Sequence, residues 1–244
     1  MIAAGGHGFG LAVFPLAAAA TAAVFGWMLL RRSLARLRPH EGVWALALFM
    51  YAAASLAMFF GVVRGWGSSD FRVYWLFGAV LNVPFLAQGE LYLLVRGRRT
   101  GHVVFACVLA LAALAGWKVL GASLHTAPLS NTLPLGKDVF GDGSAPYRLS
   151  QLYAFPAYFF LLGGSVWSAL RMKGRPELRD RTVGTVGVAV GATIVAVGSG
   201  VGAGFGVVPL FSVSLALGIA VMFGGFLRAS RPSAPAPKPE PKPD

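Results

Sequence analysis

The chain has 244 residues, of which 56% are hydrophobic and only 12% are charged, and its mean hydropathy is +0.67. This balance excludes an ordinary water-soluble domain and indicates an integral membrane protein. The formal net charge of +12 does not indicate a nucleic-acid partner, because the basic residues are short flanks of apolar segments and form no soluble basic face.

Seven apolar stretches are each long enough to cross a bilayer, whose core of about 30 Å requires roughly 20 helical residues. The predicted spans, numbered in chain order, are Gly10–Leu30, Val43–Val63, Arg72–Val95, His102–Leu120, Gln151–Leu170, Thr182–Ala203 and Gly206–Leu227. We therefore predict an all-α, seven-helix transmembrane domain over residues 1–229, with a break between spans 6 and 7 in the glycine-rich segment Gly198–Pro209.

The basic residues predict the orientation of these spans. Of the 21 Lys and Arg residues, 16 follow spans 1, 3, 5 and 7, and 5 lie on the opposite side. Because basic loops are retained on the cytoplasmic side, the N-terminus is predicted to lie outside and the C-terminus inside. The lipid bilayer is then the first partner of the protein, and anionic lipids of the inner leaflet account for its positive charge.

Two segments outside the spans have distinct compositions. The long connection 121–150 is predicted to be external, and its apolar residues are expected to pack on the mouth of the bundle. Residues 230–244 alternate proline with other residues, which favours an extended, disordered cytoplasmic tail. The apolar residues of the connection that are expected to pack in this way include Leu129, Leu133, Leu135, Val139 and Phe140.

Glu90 in span 3 is the one acidic residue placed within a predicted span, and the other eight are assigned to loops or the tail. Ionisable groups at membrane depth are costly, which makes them functional candidates. One interpretation is an anchor that pairs with Arg96 or with an arginine of the first cytoplasmic loop. The other is a carboxylate that handles protons or cations.

Span 3 also carries Asn82, Pro84 and Gln88. The two amides can hydrogen-bond to neighbouring helices, and Pro84 frees the carbonyl of Val80 and should kink the span. These residues are therefore either packing contacts or the lining of a ligand cavity beside span 3. Asn82, Leu86 and Glu90 recur every four residues, which indicates one helix stripe.

Small residues recur along spans 6 and 7. Gly187 and Gly191, and likewise Gly198 and Gly202, have the spacing that permits close approach of two helices. The sequence leaves open whether this packing occurs within one chain or in a homo-oligomer.

Recognisable chemistry is missing from the sequence. The four histidines lie at or outside the ends of the predicted spans, so neither a metal cluster nor an axial haem pair is indicated. There is no nucleophile elbow or phosphate-binding loop, and span 7 contains no Lys that could form a retinal Schiff base. We therefore predict no catalytic residues, no metal, no cofactor and no enzyme.

The segments Phe71–Ala79, Asn82–Pro84 and Leu91–Leu93, with the ending Gly224–Leu227, resemble a family of uncharacterised seven-span membrane proteins of high-GC bacteria. The resemblance covers most of the chain. It implies the topology given above, in the bacterial plasma membrane, and no activity.

A similarity between two segments of the sequence indicates an internal repeat. Phe14-Pro15 precedes Trp27 in span 1, and Phe155-Pro156 precedes Trp167 in span 5. This pattern is similar to the parallel 3+1+3 arrangement of sugar-exporting seven-span transporters, although their Pro-Gln motif is missing.

Two functions fit these observations. The first is a transporter or sensor that binds a lipid or another small molecule, polar or apolar, in a cavity beside span 3. The second is an accessory or assembly subunit that associates with a membrane complex or with further copies of itself through spans 6 and 7.

Overall fold

The computed structural model describes residues 5–95, 97–130, 133–175, 178–203 and 207–230. These residues form helices and connecting segments without a strand, and seven of the helices are long and apolar enough to cross a membrane. In chain order they are α1 Gly5–Arg36, α2 Pro39–Arg64, α3 Ser68–Leu94, α4 Arg98–Gly121, α5 Ala145–Met172, α6 Arg179–Gly202 and α7 Val208–Ala229. The predicted all-α, seven-span fold is confirmed; the predicted tail beyond Ser230 lies outside the described residues.

Several helices extend beyond the predicted spans. α1 continues to Arg36 and α5 begins at Ala145, because a helix can continue into the polar zone while its flanks remain hydrated. α2 begins at Pro39, a residue whose fixed φ suits the first turn of a helix. Glu41 therefore lies in the first turn of α2 and is only 6% exposed, which corrects its assignment to a loop.

Six of the seven helices close into a ring. The contacts run from α1 to α2, from α2 to α3, from α3 to α5, from α5 to α6, from α6 to α7, and from α7 back to α1. α4 packs on α3 and α5 from outside, and most of its surface is exposed for lipid. The internal repeat indicated by Phe14-Pro15 and Phe155-Pro156 stays a prediction.

The seam between α6 and α7 is built from glycines on both helices. A Cβ on Gly191 would lie 2.5 Å from the carbonyl oxygen of Gly218, and one on Gly225 would lie 2.7 Å from that of Gly184. Gly187 faces Gly225 at the same seam, and Gly198 and Gly202 lie against Ser214 and Phe211. The backbones are therefore in direct contact, and the glycine pattern packs within one chain.

The end of the bundle that carries the 121–150 connection is called the loop end. Leu129, Leu133, Val139 and Phe140 of this connection are buried and belong to the main hydrophobic core. This agrees with the expected packing on the bundle mouth. Arg72 of α3 also donates hydrogen bonds to the carbonyls of Val119, Leu120 and Ala122, so a cation caps the C-terminal end of α4.

Two helices change their hydrogen-bonding register in the half nearer the loop end. α3 is π-helical over Tyr74–Leu81, and the Asn82 N–H bonds to the Phe77 carbonyl five residues earlier. The end of α6 and the residue after it form a π-helix over Gly198–Ala203, inside the segment where the sequence predicts a break, and α7 begins at Val208. π-helical insertions re-aim the side chains that follow them.

Candidate functional site: a vestibule at the basic end

A cavity of about 760 Å³ lies inside the ring at the end opposite the loop end. We call this end the basic end and the cavity the vestibule. Its volume falls within the range of roughly 300–1,000 Å³ typical of small-molecule sites. Every ring helix contributes to its wall, whereas α4 does not. The lining residues used below are Phe25, Leu29, Arg32, Arg36, Arg38, Glu41, Leu48, Leu86, Glu90, Leu161, Ser165, Arg181, Thr185, Met222 and Phe226.

Glu90 places a carboxylate in the wall of the vestibule, one turn before the end of α3. The residue is 6% exposed and lies against α5, where a Cβ on Gly164 would come within 2.9 Å of Glu90 Oε1. Gly164 thus provides the room that the carboxylate occupies. Among the described residues, Glu90 makes no hydrogen bond or ion pair.

The predicted anchoring of Glu90 can be examined in part. Arg96 lies outside the described residues, so nothing is said of its contacts. The arginines of the first basic connection are among the described residues. The one that forms an ion pair is Arg38, and its partner is Glu41. Glu90 is therefore a buried carboxylate facing a cavity, with no partner in the described part of the chain.

Arg32 of α1 presents a fixed cation to the same vestibule. One guanidinium nitrogen donates to Ser230 Oγ at 2.8 Å, and the guanidinium carbon lies 4.8 Å from the ring centroid of Phe226. The hydrogen bond and the aromatic contact hold a half-buried side chain in one orientation. A guanidinium carries five N–H donors, so most of its hydrogen-bonding capacity remains available.

The rim of the vestibule carries a second set of charges. Arg38 lies 3.4 Å from Glu41 Oε1, and the buried Oε2 of Glu41 has no partner among the described residues. Arg36 and Arg181 also line this rim and are exposed. The rim is therefore net positive.

Deeper in the vestibule the wall is apolar. Phe25, Leu29, Leu48, Leu161 and Met222 are each at least 95% buried and come from four different helices. Ser165, which is also buried, contributes a hydroxyl group to the wall. The vestibule thus combines an apolar interior with a few charged groups near its opening, as small-molecule sites commonly do.

The other polar residues predicted on span 3 lie away from this cavity. Asn82 is buried and its Nδ2 donates to the Ala47 carbonyl of α2 at 2.7 Å. Gln88 Nε2 donates to the Gly101 carbonyl of α4 at 2.9 Å. Pro84 follows the π-helical segment by three residues and does not line the vestibule. Of the four candidates on this span, the structure brings Glu90 alone to the cavity.

Sequence reasoning missed Arg32 and Glu41, which were counted as basic or acidic loop residues. The available signal was their position within one turn of a helix end. That position alone does not distinguish a residue facing lipid from one facing a cavity inside the ring.

No protein-family model, no curated protein and no solved structure matches this chain. The resemblance to high-GC bacterial seven-span proteins therefore stays a prediction. Within the described residues, no group of three or more His, Cys, Asp or Glu side chains is placed to hold a metal ion.

Proposed function

We propose that this protein is a multi-pass protein of the bacterial plasma membrane that binds a small molecule in the vestibule and carries it across the membrane. The basic end faces the cytoplasm and the N-terminus lies outside, in accordance with the distribution of Lys and Arg. Each ring helix contacts its neighbours around the wall of the vestibule, so the described part of the wall offers no sideways entrance. The ligand therefore enters through the basic end, from the cytoplasmic side.

The observation that carries this proposal is the unpaired carboxylate of Glu90 in a 760 Å³ cavity. A buried charge without a partner is costly, so a purely structural bundle gains nothing from it. A ligand that pairs with the carboxylate offsets this cost when bound. Within the described residues, one end of the cavity is open and the other is closed by packed side chains, an arrangement that one state of alternating access requires.

The test is to fill the vestibule without altering the outer surface. Thr185 of α6 lines the vestibule, whereas its neighbour Val186 does not and is 45% exposed. Thr185→Trp should remove any small molecule that co-purifies in native mass spectrometry, and should abolish its uptake into proteoliposomes. Val186→Trp is the matched control and should retain both.

If Thr185→Trp folds and keeps the co-purifying molecule, the vestibule is not its binding site. If neither the wild type nor the Val186→Trp variant carries a small molecule, and the protein instead co-purifies with other membrane proteins, the accessory-subunit hypothesis is favoured.

A further inference from the structure

Among the charged residues that line the vestibule, one on α1 and one on α3 have opposite signs and are not paired with each other. Arg32 and Glu90 both line it, on α1 and α3, and no ion pair joins them. Each lies four residues before the end of its helix, at Arg36 and Leu94 respectively. At 1.5 Å per residue, both charges are about 6 Å inside the basic end.

The apolar wall lies farther from the opening than these charges. On α2, Leu48 lies seven residues beyond Glu41. On α3, Leu86 lies four residues before Glu90, and on α1, Phe25 lies seven residues before Arg32. A ligand that fills the cavity therefore meets apolar side chains at its inner end and the two charges nearer the opening.

We propose that the vestibule recognises a zwitterionic small molecule with an apolar body, whose ammonium group pairs with Glu90 and whose carboxylate or phosphate pairs with Arg32. This inference rests on the proposed function and names the ligand class. Charge-assisted hydrogen bonds of both kinds are about twice as strong as neutral ones, and a guanidinium matches the two oxygens of an anionic group.

Other ligand classes fit the same side chains less well. A simple anion would be attracted by Arg32 and the net positive rim, but it would face the carboxylate of Glu90 and leave that group unpaired. A simple cation would satisfy Glu90 but face Arg32 and the net positive rim. A neutral apolar molecule would displace water from both charges without replacing its hydrogen bonds, which is costly. A zwitterion complements both charges at once.

The experiment compares molecules that share a body and differ in charge, using the full chain in lipid nanodiscs and isothermal titration calorimetry. The soluble series is L-phenylalanine, 2-phenylethylamine, which lacks the carboxylate, and 3-phenylpropanoate, which lacks the amine. The lipid pair is lysophosphatidylethanolamine and lysophosphatidylglycerol, which lacks the amine. At least one zwitterion should bind ten times or more tightly than its singly charged counterparts, and the arm in which this occurs identifies the source as an aqueous solute or a lipid headgroup.

Variants then assign each charge. Glu90→Gln should remove the preference for the zwitterion over the molecule without the amine, and Glu90→Asp should restore it. Arg32→Gln should remove the preference for the zwitterion over 2-phenylethylamine if the solute arm binds, or lower the affinity for lysophosphatidylethanolamine tenfold if the lipid arm binds. Arg31→Gln, which changes an exposed neighbour that does not line the vestibule, should change nothing.

The ligand class is wrong if neither zwitterion binds better than its counterparts, or if Glu90→Gln keeps the preference. Such a result is distinguishable from failure of the proposed function, because Thr185→Trp tests the vestibule with whatever molecule co-purifies. A melting curve for each variant shows whether a loss of binding reflects unfolding.

Discussion

The two ends of the bundle use the same helices in opposite ways. At the loop end, the rings of Phe71, Trp75, Phe140 and Tyr147 form a connected cluster with centroid distances of 5.5–6.4 Å. At the basic end, the helices surround a 760 Å³ cavity bordered by charged side chains. The loop end is closed by segments between the helices, whereas the ring at the basic end leaves its centre unfilled.

Trp75 at the loop end and Glu90 at the basic end illustrate this difference. Trp75 is fixed from several sides, because its indole N–H donates to the Pro146 carbonyl at 3.1 Å and its ring lies over Gly136. Glu90, at the other end of the same helix, contacts a glycine and has no polar partner in the described residues. α3 thus links the closed loop end to the vestibule.

The largest expected effect is the difference in accessibility between the two ends. In a chain with Cys107 replaced by alanine, Asp142→Cys lies in the loop-end connection and Lys173→Cys follows α5 at the basic end, and both positions are exposed. In intact cells, a membrane-impermeant maleimide should label Asp142→Cys fully and Lys173→Cys only after the membrane is opened. Labelling of both from the same side would contradict the seven-span topology.

The next effect concerns the α6–α7 seam, which supports both ends. Gly191→Leu places a side chain against the Gly218 backbone, which cannot move without separating the helices. Overpacking of this kind should cost about 3 kcal/mol and lower the melting temperature by several degrees in detergent. Gly163→Leu on α5, where nothing lies within 4 Å of a new Cβ, is the control and should melt like the wild type. Equal melting of both variants would place the α6 glycines towards lipid.

A smaller effect is expected at the closed end. A side chain at Gly136 would overlap the Trp75 ring, which its neighbours prevent from swinging away. Gly136→Leu should cost about 2 kcal/mol and loosen the loop end, so that hydrogen exchange of residues 136–140 increases. Gly116→Leu on the outer helix α4 has free space and is the control. Unchanged exchange in Gly136→Leu would show that the aromatic cluster does not hold the loop end closed.

The smallest effect separates two polar residues of α3. Asn82→Ala removes the hydrogen bond to the Ala47 carbonyl and should cost about 1 kcal/mol of stability while ligand binding is retained. Glu90→Gln removes a buried charge that makes no contact with a polar group in the described residues, so it should not lower the melting temperature and should abolish uptake. Measured stability and uptake in both variants decide the comparison. The opposite pattern, with a stable Asn82→Ala protein that has lost uptake, would move the binding site away from the basic end.

The stripe on span 3 illustrates how far sequence periodicity reaches. Asn82, Leu86 and Glu90 are spaced by four residues, which predicts one face, yet only the latter two line the vestibule. At 3.6 residues per turn, each step of four rotates the position by about 40°, so Asn82 and Glu90 differ by about 80°. That rotation is enough to turn Asn82 towards the backbone of α2 while Glu90 faces the cavity.

The sequence by itself determined that the chain is an all-α bundle with seven membrane-length helices, and where most of the breaks between them fall. Hydrophobic length, flanking charge and the positions of glycine and proline are local properties of the sequence. Each segment therefore indicates a membrane span without information about the other segments. It also identified Glu90 as unusual, because a single carboxylate in an apolar segment can be recognised from the sequence without knowledge of the fold.

Only the tertiary structure decided that six helices form a ring with α4 outside, that the glycine seam is internal, and that Arg32 and Glu90 share one cavity. These features depend on contacts between residues far apart in the chain, which pack according to shape rather than composition. Apolar faces turned towards lipid and towards neighbouring helices look alike in a membrane sequence, because both environments accept the same side chains.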